Sequence, residues 1–151
     1  MNVNIITFGR LKEAYFKQAS AEYEKRLSAY CKVNITEIVG NAFMRSDKTA
    51  RSAAERINPF PTKLPKSYKI ALCAEGERFT SEGFADKLLK IGQDLSFIIG
   101  CSDGLPENVK NSADLKLSLS DMTFPYQLAR IVLLEQIYRA FSINNNGKYH
   151  K

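Results

Sequence analysis

The sequence predicts a single α/β domain with a mainly parallel sheet flanked by helices. Short β-rich runs alternate along the chain with amphipathic helical stretches, and that alternation implies parallel pairing through crossover connections. Two of the runs, 95–99 and 115–119, release the chain at their carboxyl ends into turns rich in small polar residues. In open α/β sheets that edge is where ligands bind. A chain of 151 residues is long enough for one domain with a proper core, and no linker, repeat or low-complexity tract divides it, so residues 1–151 are expected to form one unit.

Asn2 to Phe8 reads as the first strand, with Gly9 as its terminator. A helix is expected over Lys12 to Tyr30, where Phe16, Ala19, Tyr23, Leu27 and Tyr30 share one face and Lys17, Glu24, Lys25 and Arg26 another. Val33 to Val39 is the second strand, closed by Gly40 and Asn41. Between 41 and 66, Ser46 or Asp47 could cap a modest helix through Ile57, after which Pro59, Pro61 and Pro65 exclude regular structure. Arg45, Lys48, Arg51 and Arg56 make this segment basic; a solvated helix face is the first explanation and an RNA contact the second. Tyr68 to Ala74 is a third strand, leading into Glu75-Gly76-Glu77, and Thr80 or Ser81 opens a helix on which Phe84, Leu88 and Ile91 share a face.

Leu95 to Ile99 is the fourth strand and runs into Gly100-Cys101-Ser102-Asp103-Gly104. Glycine at 100 and 104 lets the backbone approach a ligand closely. Leu115 to Leu119 is the fifth strand, followed by Ser120-Asp121-Met122-Thr123-Phe124-Pro125. The last helix spans Tyr126 to Phe141, with Pro125 suited to its first turn. Leu128, Ile131, Leu134, Tyr138 and Phe141 recur at helical spacing, and Val132, Leu133 and Ile137 widen the stripe until most of the surface is apolar. So greasy a helix in so small a protein implies that a second chain covers part of it.

Hydrophobic residues at 44% and charged residues at 25% are ordinary globular values. The net charge of +6 favours a polyanionic partner, because lysine and arginine gain by releasing phosphate counterions. Three cysteines (Cys31, Cys73, Cys101) with no secretory signal and no membrane-length apolar run point to a reduced, cytoplasmic, soluble protein. Cys73 reads as an inert buried thiol within a strand. With one histidine and no Cys/His pair at ligand spacing, no metal site is expected. Neither a phosphate loop nor a dinucleotide fingerprint is present.

The string Asp121-Met-Thr-Phe-Pro…Gln127-Leu-Ala-Arg130…Glu135-Gln-Ile-Tyr-Arg-Ala-Phe-Ser-Ile143, with Tyr149-His150 near the end, resembles the ribosomal large-subunit methyltransferase H family of the SPOUT class. Ile5-Ile-Thr-Phe-Gly-Arg-Leu-Lys-Glu13 and Ala21-Glu-Tyr-Glu-Lys-Arg-Leu27 extend the resemblance over essentially the full length. It implies transfer of a methyl group from S-adenosylmethionine to N3 of a pseudouridine in 23S ribosomal RNA, on the assembled ribosome. It also implies a C-terminal trefoil knot, which general folding rules alone would not predict. Two positions depart from the family: its usual histidine after the proline is Tyr126 here, and its glycine pair is Gly100-Cys101.

Three strand ends, 72–76, 99–104 and 119–124, are candidates for one pocket, although such turns are ordinary in themselves. The resemblance makes Leu72, Gly76, Gly100, Leu119, Ser120, Asp121, Met122, Thr123 and Phe124 the expected contacts of S-adenosylmethionine. A Gly100→Val chain is expected to stay folded and lose the cofactor. Arg139, Tyr149 and His150 are the expected catalytic residues, brought to the pocket by the tail of a second copy in a homodimer. For Arg139 the plain alternative is an i,i+4 ion pair with Glu135; for His150 it is a frayed chain end. Arg130 is read as structural or as a phosphate contact. Two other functions are open at this point: a SPOUT enzyme with another RNA target, and a non-catalytic RNA- or ribosome-binding module.

Overall fold

Strands β1 (Asn2–Phe8), β2 (Lys32–Ile38), β3 (Tyr68–Glu77), β4 (Leu95–Ile99) and β5 (Leu115–Leu117) form one sheet. Their order is β2-β1-β4-β3-β5, and every neighbouring pair is parallel. The structure is a computed structural model and describes residues 1–38 and 66–151. The expected end of the second strand at Val39–Asn41, the helix to Ile57, the three prolines and the basic segment 45–56 lie outside the described residues.

The centre of the sheet forms where the sequence is mainly apolar. All five residues of β4 are buried, as are Val3 to Phe8 of β1, which is how the central strands of a sheet covered on both faces read. Alternation sorts their side chains. Leu95, Phe97 and Ile99 join Val3, Ile5 and Ile70 in a large core, while Ile98 joins Phe8 and Ala71 in a smaller one on the opposite face. Each large side chain so buried contributes about 1.5–3 kcal/mol by leaving water.

Three helices cover the large core: α1 (Ala14–Leu27), α2 (Ser81–Ile91) and the C-terminal helix. Thr80 caps α2 as expected, its hydroxyl accepting the Gly83 N–H at 3.0 Å. Gly92 ends the same helix in the left-handed conformation (φ +60°). A five-residue helix, α3 (Glu107–Asn111), sits over the smaller core through Val109; the sequence reading contains no such element. The last helix, α4 (Tyr126–Asn144), runs one turn past Phe141 and buries Leu133, Leu134, Ile137 and Ala140. Arg130 is also buried on it, paired with Glu37 of β2 at 2.6 Å. That pairing favours the structural reading of this arginine.

β2 begins one residue early, at Lys32; the carboxyl ends of β3 and β5 also differ from the sequence expectation, and one contact explains both. β3 continues through Glu75, Gly76 and Glu77, and Leu117 of β5 pairs with both Leu72 and Glu77. β3 therefore bulges between those residues and then returns against β5. A Cβ on Gly76 would stand 2.5 Å from the Leu117 carbonyl carbon, so only glycine permits the return. β5 stops at Leu117, and the Ser118 N–H donates to the Glu77 carbonyl at 2.9 Å.

Candidate active site

The carboxyl ends of β3 and β4 and the segment after β5 surround a cavity of about 680 Å3, a size suited to a small organic ligand. The three strand ends expected to meet do meet. Leu72, Gly100 and residues 119–124 all line the cavity, together with Cys73, Cys101, Tyr126 and Ala129. Gly76 does not line it; the β3 return against Leu117 accounts for its identity. Cys73 is half-buried and faces the cavity instead of being sealed in the sheet, and burial pushes its thiol pKa up.

The walls are set by backbone geometry. A Cβ on Gly100 would lie 2.5 Å from the Gly104 carbonyl carbon and 2.9 Å from the Leu105 nitrogen. Gly100 is therefore required by the turn itself, and the expectation that Gly100→Val would stay folded is corrected. Gly104 has open space around its missing Cβ but a φ of +77°, and its N–H donates to the Cys101 carbonyl at 2.9 Å. Across the cavity, Met122 N–H donates to Ser120 Oγ and Ser118 Oγ to the Ser120 carbonyl, both at 3.0 Å. These bonds hold the 118–122 segment in shape.

Tyr126 closes one side. Its hydroxyl donates to the Arg10 carbonyl at 3.3 Å, and its ring fills the space a Cβ on Gly9 would occupy. Lys12 N–H donates to Gln127 Oε1 at 2.6 Å, a second tie between the β1–α1 loop and the start of α4. Asp121 is the single charged side chain among the described residues on the wall, and it pairs with Arg78. Both partners are well exposed, so the pair contributes little to stability.

The tail is packed, not frayed. Asn146 adopts a left-handed φ of +55°, and Gly147 N–H donates to the Ser142 carbonyl at 2.7 Å, turning the chain back along α4. Tyr149 then meets Tyr138 edge-on at 4.7 Å between ring centroids, and the Arg139 guanidinium lies 4.7 Å from the Tyr149 ring centroid. Its hydroxyl donates to Glu135 Oε1 at 2.9 Å. Arg139 makes the i,i+4 pair with Glu135, the plain alternative for it, and also meets His150 Nδ1 at 3.2 Å. Burial, and then the bond to Glu135, raise the Tyr149 phenol pKa, so it stays a donor. The Glu135 carboxylate likewise raises the pKa of Arg139.

The tail and the cavity are separate within one chain: Arg139, Tyr149 and His150 do not line the cavity. A smaller cavity of about 210 Å3 lies beside it and shares Ser118, Leu119 and Phe124; Ser81 and Gln136 on its wall adjoin Glu82 and Glu135 of the tail cluster. Sequence reasoning missed Glu82, whose Oε1 lies 2.8 Å from His150 Nε2. A carboxylate in a first helical turn is commonplace, and nothing local ties it to residue 150. Among the described residues no cluster of three or more His, Cys, Asp or Glu could hold a metal, and no helix is long and apolar enough to cross a membrane.

A family model described as "Predicted SPOUT methyltransferase" matches residues 1–150. Two curated relatives are both named "Ribosomal RNA large subunit methyltransferase H". The one from Leuconostoc mesenteroides is 42% identical over 165 residues, and the one from Fusobacterium nucleatum 41% identical over 157 residues; each alignment covers the whole of both chains. Among solved structures, a probable methylase family protein from Haemophilus influenzae superposes with a TM-score of 0.63 at 12% identity, covering 99% of this chain and 70% of that one. At that identity the likeness concerns the fold alone.

Proposed function

The chain belongs to the SPOUT methyltransferase family, and on that premise we propose that it transfers a methyl group from S-adenosylmethionine to N3 of a pseudouridine in 23S ribosomal RNA. The observation that carries this reading is full-length identity above 40% to proteins named as large-subunit RNA methyltransferases. The three-sided cavity at the strand ends supports it.

The volume and lining of the cavity support such a cofactor. Its wall is mainly apolar or backbone, with Phe124 available to an adenine ring and no lysine or arginine to hold a phosphate among the described residues. The lone carboxylate, Asp121, is already paired with Arg78 and adds little net charge to the wall. Leu72, Gly100, Leu119 and Phe124 would hold the ligand, which when bound supplies an electrophilic methyl group on a sulfonium. Positioning then carries most of the catalysis. The target N3 must also lose its proton, which passes to solvent water, and a fixed cation beside the ring favours the anion left behind. Arg139 supplies that cation, and Tyr149 a face on which the base can stack.

These tail residues reach a cavity through a homodimer, the tail of one copy meeting the cavity of the other. Leu128 of α4 is 36% exposed in the single chain, and Ile131 and Val132 are half-buried, leaving an apolar strip for a second copy. The chain acts as one domain in the cytoplasm, and its net charge of +6 suits a ribosomal substrate. The test is mass spectrometry of ribosomal RNA from a strain lacking the protein. Loss of one methylated pseudouridine in 23S RNA, restored by purified protein and S-adenosylmethionine, is expected; an unchanged modification pattern contradicts the reading.

A further inference from the structure

A ring of polar contacts joins the start of α2, α4 and the tail. Ser81 Oγ donates to Gln136 Oε1 at 2.9 Å, and Gln136 Nε2 donates to Glu135 Oε2 at 2.7 Å. Glu135 takes Arg139, Arg139 meets His150, and His150 meets Glu82, which adjoins Ser81. The protonation of the histidine ring follows from its partners. Arginine has donors only, so Nδ1, 3.2 Å from Arg139 Nη1, accepts and carries no proton. The proton of the neutral ring is then on Nε2 and is donated to Glu82 Oε1 at 2.8 Å. With both nitrogens engaged, the ring has no lone pair left to take a proton from a substrate.

Glu82 is suited to receive that proton. It is the second residue of α2, where the helix N-terminus favours a carboxylate. Hydrogen bonding to backbone and then to His150 holds its carboxyl below the usual range. Its place in the fold matters more. The Tyr149 contacts run to Tyr138, Arg139 and Glu135 on α4, and its phenol also bonds Tyr23 of α1. The bond to Glu82 adds α2 to these anchors and holds the second nitrogen of the His150 ring, whose first meets Arg139 of α4, so it fixes a ring orientation that the Tyr149 contacts leave free to turn.

We propose that Glu82 is a positioning residue for methyl transfer, fixing His150 as an Nε2–H donor and so setting the register in which the tail presents Tyr149 and Arg139 to the target base. The role in transfer rests on the proposed function; the anchor itself does not.

The test compares full-length wild type, Glu82→Ala and Glu82→Gln. His150 is the one histidine of the chain, so long-range 1H–15N spectra report its tautomer without ambiguity. Single-turnover transfer to ribosomes lacking the modification reports the chemistry, and calorimetry reports S-adenosylmethionine affinity. Glu82→Ala should mix the two tautomers and slow transfer about tenfold to a hundredfold, as misplacement of reacting groups does, with cofactor affinity unchanged. Glu82→Gln should keep the Nε2–H tautomer and most of the rate, since an amide oxygen still accepts. A wild-type rate in Glu82→Ala, or a Glu82→Gln loss as deep as that of Glu82→Ala, overturns the proposal. If wild type itself transfers no methyl group, the functional reading fails, and the spectra alone decide: the same tautomer in wild type and Glu82→Ala would refute the anchor.

Discussion

Gly100 and Gly104 show how one residue type answers two demands. At 100 a side chain would meet backbone at 2.5 Å, which cannot yield as a flexible side chain does. Gly100→Ala should therefore destabilise the fold by about 1–3 kcal/mol, as overpacking does. Gly104→Ala meets no atom and pays only for its φ of +77°, about 1–2 kcal/mol. Urea unfolding of the two variants measures both losses, and a Gly100→Ala chain as stable as wild type would contradict the backbone clash. Arg130 poses a different problem, being buried with Nε unpartnered and relying on Glu37. Glu37→Ala should cost about 2–3 kcal/mol in the same assay, toward the low side for a broken buried pair because Glu37 is one-third exposed. Cys31 gives the fold a pH dependence. Burial pushes its thiol from 9.0 up to about 11, so the folded state holds its proton more tightly than the unfolded. The associated stability is fully present below pH 9 and is lost as pH rises toward 11. Stability curves of wild type and Cys31→Ala should diverge over that window and run parallel below it.

At the scale of elements, what was legible is what local pattern decides. β1 and β4 are mainly apolar runs buried on both faces, and their boundaries match the sequence reading. Thr80 marks the start of α2 because capping needs only neighbours. The β3 extension was not legible, because the contact of Gly76 with Leu117 is made between distant segments. α3, at five residues, is too short for periodicity to register. The cavity was legible as three strand ends but not as a set of side chains: Cys73 and Cys101 enter it through the bulge of β3 and the tight turn at Gly104. The Glu82–His150 contact spans 68 positions, and no local signal announces it. The cysteines yield a prediction for the strand ends. Saturating S-adenosylmethionine should protect Cys73 and Cys101 from alkylation in the native protein, while buried Cys31 stays unreactive with or without it. Peptide mass mapping reads the result, and cofactor without protection would place its site elsewhere.

At the scale of the whole molecule, the proposed reaction joins the cavity of one copy to the tail of another, since the tail residues do not line the cavity of their own chain. The exposed Leu128 and half-buried Ile131 and Val132 leave α4 incompletely covered in the single chain, and light scattering should report a dimer at micromolar concentration. Mixing two disabled forms tests the shared site most directly. One lacks residues 148–151; the other carries Cys101→Trp, whose ring occupies the cavity wall, with loss of cofactor binding verified by calorimetry. Neither alone should methylate ribosomes. A mixed dimer pairs the intact cavity of the first with the intact tail of the second, and random exchange gives about a quarter of the wild-type sites. Recovery of activity near that level is the predicted result. No recovery, with mixed dimers verified to have formed, would show that each tail serves the cavity of its own chain and would contradict the account.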